Sequence, residues 1–184
     1  MINLYLCEGF VNLLGFEFNL VGEFYLGERE NPRLLYRWTV GDNYIVTLLN
    51  EQATLDWRVR LEVSNEPLID INHSTYIVFC DQVWYAGYIG RKDKSRCSIR
   101  SRWGLNQKQQ NTFQIWHGYQ TDCGIDAMLR DGLKPKLYIC PQPTVTSPGG
   151  HALNVALSLE DAIIANYPTP WNHIATKSKD KSFA

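Results

Sequence analysis

The stretch Trp57-Arg58-Val59-Arg60-Leu61-Glu62-Val63 alternates apolar and charged side chains without a break. Only an extended strand sorts such residues onto two faces, so the pattern predicts a half-buried strand of an antiparallel sheet. Its neighbours favour the same architecture. Tyr44 to Leu49, Thr75 to Phe79 and Val83 to Ile89 are rich in β-branched and aromatic residues, with Asp81-Gln82 either a turn between the last two or a bend in one long strand. A further strand is expected over Cys97 to Trp103, where Cys97, Ile99, Ser101 and Trp103 alternate with Ser98, Arg100 and Arg102. Polar breaks fall at Gly27 to Arg33, Asn50 to Thr54, Ser64 to Pro67, Asn106 to Asn111 and Pro141 to Gly150. The last holds three prolines and a glycine pair, which suits a binding or active-site loop.

Two helices are predicted from their ends. In the first, Asp122 stands as N-cap, Ile125, Met128 and Leu129 share a face, and Gly132 takes the left-handed C-cap. In the second, Ser158 caps, Asp161 completes a weak capping box, and Pro168 stops the helix. The whole reads as an α+β chain, a mainly antiparallel sheet with a few helices. One domain over residues 1–176 is expected, β-rich over 1–110, with a flexible tail at 177–184.

With 184 residues the chain can bury an adequate core. Eighteen basic against nineteen acidic side chains leave it nearly neutral, so no global field draws it to nucleic acid or an anionic membrane. Leu4, Leu6, Phe10, Val11, Leu13, Leu14 and Phe16 crowd the N-terminus, but Glu8, Glu17 and Glu23 interrupt the run and no basic segment precedes it. That segment reads as core, and the chain as soluble and cytoplasmic. Its five cysteines, Cys7, Cys80, Cys97, Cys123 and Cys140, never pair as Cys-x-x-Cys, which favours neither a disulfide framework nor a zinc knuckle.

Ile115-Trp116-His117-Gly118 ends a strand, an amphipathic segment runs to Gly132-Leu133, and Gly150-His151-Ala152-Leu153-Asn154-Val155-Ala156 leads to Ser158 and Ala165-Asn166-Tyr167. This order resembles the first two motifs of ADP-ribosyltransferases, in the poly(ADP-ribose) polymerase and diphtheria-toxin-like branch, over about residues 113 to 168. The resemblance implies an ADP-ribosyltransferase-like fold and NAD as substrate. His117 would contact the adenosine ribose and act in catalysis, and the Gly118 backbone would hold the nicotinamide amide. Tyr119, Asn154 and Ser158 would complete the cofactor site, and the Pro141 to Gly150 loop would close over it. ADP-ribose would then pass to a nucleophile on a protein or nucleic acid, the chemistry of an effector or toxin. Two positions depart from the family. Asn154 stands where a tyrosine stacks on nicotinamide, leaving Tyr119, Tyr138 or Tyr85 to supply that face. The family's glutamate has no counterpart after Glu160. Thr75-Tyr76-Ile77-Val78-Phe79 is similar to the family's glutamate strand but carries Thr75 at the acid position, with Glu62, Glu66 and Asp81 nearby in sequence.

Each of these residues also has an ordinary structural role open to it. His117 suits a turn at a strand end, Gly118, Gly149 and Gly150 suit positive φ, and Asn154 can point to solvent. A basic stretch, Arg91, Lys92, Lys94, Arg96, Arg100, Arg102 and Lys108, lies beside Trp84, Tyr85, Tyr88 and Trp103. It would hold phosphates or an acidic partner, or else form a solvated edge strand. The rival to the transferase is therefore a non-enzymatic binding or assembly protein presenting aromatic and basic surface.

Overall fold

The structure is a computed structural model that describes residues 5–7, 9–28, 33–41, 44–55, 58–90, 98–103, 106–109, 112–114 and 119–172. In chain order its elements are β1 (Tyr5–Cys7), β2 (Phe10–Leu13), β3 (Phe16–Leu26), β4 (Arg33–Val40), β5 (Val46–Leu55), β6 (Val59–Val63), a 3-10 turn (Glu66–Asp70), β7 (Ser74–Cys80) and β8 (Gln82–Ile89). Then follow α1 (Ile99–Arg102), β9 (Asn106–Gln109), β10 (Thr112–Gln114), α2 (Tyr119–Arg130), β11 (Lys136–Cys140), β12 (Thr144–Thr146), β13 (Ala152–Asn154) and α3 (Ala156–Asn166). No helix among the described residues is long and apolar enough to cross a membrane.

Nine of these strands form one sheet of order β8-β7-β11-β3-β6-β10-β9, with β2 pairing β3 and carrying β1. All its pairings are antiparallel. The sheet is therefore the mainly antiparallel one expected, with a few helices. It is covered on both faces. On one face Tyr76, Val78, Leu137 and Ile139 pack with Ile125 and Met128 of α2 and with Ile99, Trp103 and Trp171. On the other, Val11, Leu13, Phe18, Ile77 and Tyr138 pack with Leu159 and Ile163 of α3.

β6 departs from the expected half-burial. The strand begins at Val59, and Arg60 is buried along with Val59, Leu61 and Val63, only Glu62 reaching solvent. The Arg60 stem lies along the sheet and one guanidinium nitrogen donates to the Val59 carbonyl at 3.1 Å. β7 and β8 form a tight hairpin with Asp81 at φ 58°, so the turn, not the bend, is correct.

Five more expectations change. Residues 98–103 are helical: Ser98 caps α1, its hydroxyl accepting from the Ser101 amide while the Ser101 hydroxyl accepts from the Ser98 amide. Asn50 to Thr54 continue β5, paired to β4, and 106–109 form β9. α2 starts at Tyr119, which places Asp122 inside the helix, buried. At its other end Gly132 has φ 81° and the Leu133 amide donates to the Met128 carbonyl at 2.9 Å, the predicted C-cap. α3 begins at Ala156, ahead of Ser158, which is an exposed helical residue and not a cap.

Candidate partner-binding site

The residues of the resemblance divide into two groups. His117, Gly118 and the rest of 115–118 lie outside the described residues, and Tyr119 is the first residue of α2. Asn154 and Ser158 sit beside the start of β7. The Asn154 amide donates to the His73 carbonyl at 3.1 Å, its oxygen accepts from the Ala156 amide at 3.1 Å, and the Thr75 hydroxyl donates to the Ala156 carbonyl at 2.6 Å. Val155, with no side-chain cap bond, stands at the N-cap where Ser158 was expected, and Asn154 just before it takes the first helical amide. Thr75 is fully buried.

Gln114, the last described residue before 115–118, pairs with Arg60 of β6, which pairs with Tyr25 of β3. Thr75 pairs with Cys140, at the far end of β11 from Lys136, which pairs with Glu23. Gln114 and Thr75 are therefore at opposite ends of the strands, with β11, β3 and β6 between β7 and β10. Strands spaced about 4.8 Å apart put roughly 19 Å between them across the sheet alone.

The expected 141–150 loop is in fact most of a β-hairpin. β12 pairs β13 as Thr144↔Asn154, Val145↔Leu153 and Thr146↔Ala152, closed by the Ser147 amide donating to the His151 carbonyl at 2.8 Å. The Val155 amide donates to the Pro143 carbonyl at 2.8 Å. Because 143 and 147 bond inward, the alternation of an antiparallel pair turns the backbone groups of Thr144 and Thr146 outward. No third strand joins this sheet among the described residues. All six strand residues are exposed, and the directly opposed Val145 and Leu153 stand 40% and 50% open, with Leu157 at 54%. From Leu137 to Leu159 the chain has no Asp, Glu, Lys or Arg. This absence of charge is a signal in the sequence that the prolines and glycines of the same segment do not give.

The basic stretch also divides. Arg91, Lys92, Lys94 and Arg96 lie outside the described residues, and of Lys108 only the backbone in β9 is described. Arg100 and Arg102 lie on a helix, not on alternate positions of a strand. Arg100 forks onto both Asp70 oxygens at 2.9 and 3.0 Å and approaches Glu66 at 3.7 Å. That pairing holds the Asp70 carboxyl below its ordinary range. Arg102 instead points inward, its Nε donating to the Tyr76 hydroxyl at 3.2 Å.

Candidate nucleophiles are muted. Burial pushes the Cys140 thiol up to about 12 and the Cys123 thiol higher still. Neither supplies thiolate near neutrality. No group of three or more His, Cys, Asp or Glu among the described residues is placed to hold a metal.

The chain matches no protein-family model, and neither a curated protein nor a solved structure matches it. Around β12 and β13 the Ser147 and Asn154 side chains bond within the protein, and Val145 and Leu153 face out.

Proposed function

We propose that this is a non-catalytic assembly protein whose copies associate through the β12–β13 hairpin and the first turn of α3. The exposed Val145–Leu153 pair in a charge-free segment carries this reading. Exposed apolar side chains grouped on one element mark contact surfaces, and interface centres are depleted in charge. The hairpin suits a second copy of itself: its outward edge can extend an antiparallel ladder across a two-fold axis, and no like charges meet there. A two-stranded hairpin alone is also marginal in water, so pairing stabilises it.

Sedimentation of the whole chain up to about 100 μM, where a contact of roughly −5.5 kcal/mol half-forms, is expected to show a concentration-dependent dimer. Val145→Lys with Leu153→Lys should weaken it by at least about tenfold, with circular dichroism unchanged because both side chains are exposed. A monomer across that range sinks the proposal.

A second reading follows the resemblance: NAD-dependent ADP-ribosyl transfer to a protein or nucleic-acid acceptor. The bonds from Asn154 to His73 and from Thr75 to Ala156 favour it, since they seat the second motif against the strand similar to the family's glutamate strand. Against it, the Thr75 hydroxyl is committed to backbone, so the acid would have to come from elsewhere. On this reading calorimetry with NAD gives saturable binding with nicotinamide release, both lost in His117→Ala. Absence of binding at millimolar NAD removes it.

A further inference from the structure

We propose that Arg102, Tyr76 and Tyr85 form a binding site for a phosphate-type oxyanion beside the edge strand β8. The site is built from the fold upward. Tyr76 on β7 pairs with Gly87 on β8, and a Cβ at 87 would strike the Tyr76 ring. Glycine therefore lets that ring cross its own neighbour strand and carry its hydroxyl toward the sheet edge. Tyr85, two residues earlier on β8, lies with its ring centroid 6.1 Å from that of Tyr76, tilted by 38°. Trp103 braces Tyr76 from the side at 5.9 Å. Arg102, the residue before Trp103, meets both hydroxyls in one hydrogen-bonded group.

A guanidinium drawn out of water costs free energy unless an anion faces it. Arg102 is partly buried, and among the described residues no carboxylate pairs with it. Arg100, two residues away, shows the contrast with its fork onto Asp70. Burial opposes the charge of Arg102, and the hydrogen bonds from its guanidinium to the two tyrosine hydroxyls favour it. Burial likewise raises both tyrosines, so each stays a neutral hydroxyl. Glu160 on α3 acts on both hydroxyls less than Arg102 does and forms no ion pair with Arg102 among the described residues. What remains is a cation whose hydrogen-bond partners among the described residues are uncharged. Arginine offers five N–H donors in a fork matched to phosphate, and the described bonds to tyrosine leave donors to spare. An oxyanion completes the site by accepting from the remaining guanidinium donors.

The test titrates inorganic phosphate, and separately acetate, into the whole chain by calorimetry and by thermal unfolding. Saturable phosphate binding is expected, weakened at least about tenfold in Arg102→Gln, several-fold in Tyr85→Phe, and unchanged in Arg100→Gln. Phosphate should raise the unfolding temperature of the wild type and of Arg100→Gln only. Without phosphate, Arg102→Gln should unfold somewhat earlier than wild type, because it removes the donor to two tyrosine hydroxyls. Should Arg102→Gln fail to fold, Tyr85→Phe decides. Acetate binding as well as phosphate would overturn the phosphate assignment. A folded wild type that binds neither anion would make Arg102 a packing residue and overturn the site.

Discussion

Alanine at position 22 is expected to cost most of the stability of this fold. Gly22 lies in the middle of β3, opposite Val63 of β6 and Leu137 of β11. A Cβ there would overlap the Glu62 carbonyl oxygen and come within 3.0 Å of the Glu62 carbonyl carbon and the Val63 Cα. These are backbone atoms of a paired strand, so no side-chain rotation relieves the overlap. The β3–β6 pairing must open instead, beside the bulge where β11 already shifts register. Overpacking typically costs about 1–3 kcal/mol and more where backbone must move, against a total near 5–15 kcal/mol. We expect Gly22→Ala at or beyond the upper end, read as a lower urea midpoint or as failure to fold. Gly15→Ala is the control: nothing lies within 4 Å of its Cβ, and only its φ of 82° is unfavourable. Its loss should be near 1 kcal/mol. Equal losses at the two positions would refute the close approach of β3 to β6.

Trp103→Ala should rank next, at about 3–5 kcal/mol, the usual cost of emptying a tryptophan site in a core. α1 has four residues and cannot persist alone. It is held by Ile99 and Trp103, both fully buried, with the Trp103 ring 5.5 Å from Phe24 and 5.9 Å from Tyr76. Losing the indole frees the segment that carries Arg102, so the phosphate response proposed above should disappear together with the stability. Trp103→Phe, which refills part of the space, should recover more than half of the loss in a denaturant titration. A change within about 1 kcal/mol for Trp103→Ala would mean that α1 is anchored by something other than its indole.

Much of this was legible in the chain. β7 and β8 follow from their β-branched and aromatic runs, and the Gly132 C-cap from a glycine after the apolar stripe of Ile125 and Met128. Other segments misled for identifiable reasons. Ile99 and Trp103 are two steps of a strand alternation and also one helical turn apart. The Ser98-x-x-Ser101 pair, whose reciprocal bonds cap α1, was the signal that could have decided between them. Arg60 alternates with apolar residues yet is buried, its stem close against Gly27 and one guanidinium nitrogen on the Val59 carbonyl, a packing that alternation alone does not report. Ser158 has the composition of a cap, but Asn154, held from behind by the His73 carbonyl, reaches the first helical amide before it. That bond joins residues 81 apart in the chain, which no local pattern encodes.

The position of β11 governs when the fold can close. It is the last strand of the large sheet to be synthesised, yet it inserts between β3 and β7. Until Cys140 has left the ribosome, β3 lacks its partner on that side and the β7–β8 hairpin has nowhere to dock. Between the synthesis of β7 and that of β11 the nascent chain therefore carries two open strand edges, with Leu20, Ile77 and Val78 among their residues. Such edges template wrong pairings, and long-range closure of this kind is slow. Expression at low temperature, or with a holding chaperone present until release, is the condition that favours the native sheet.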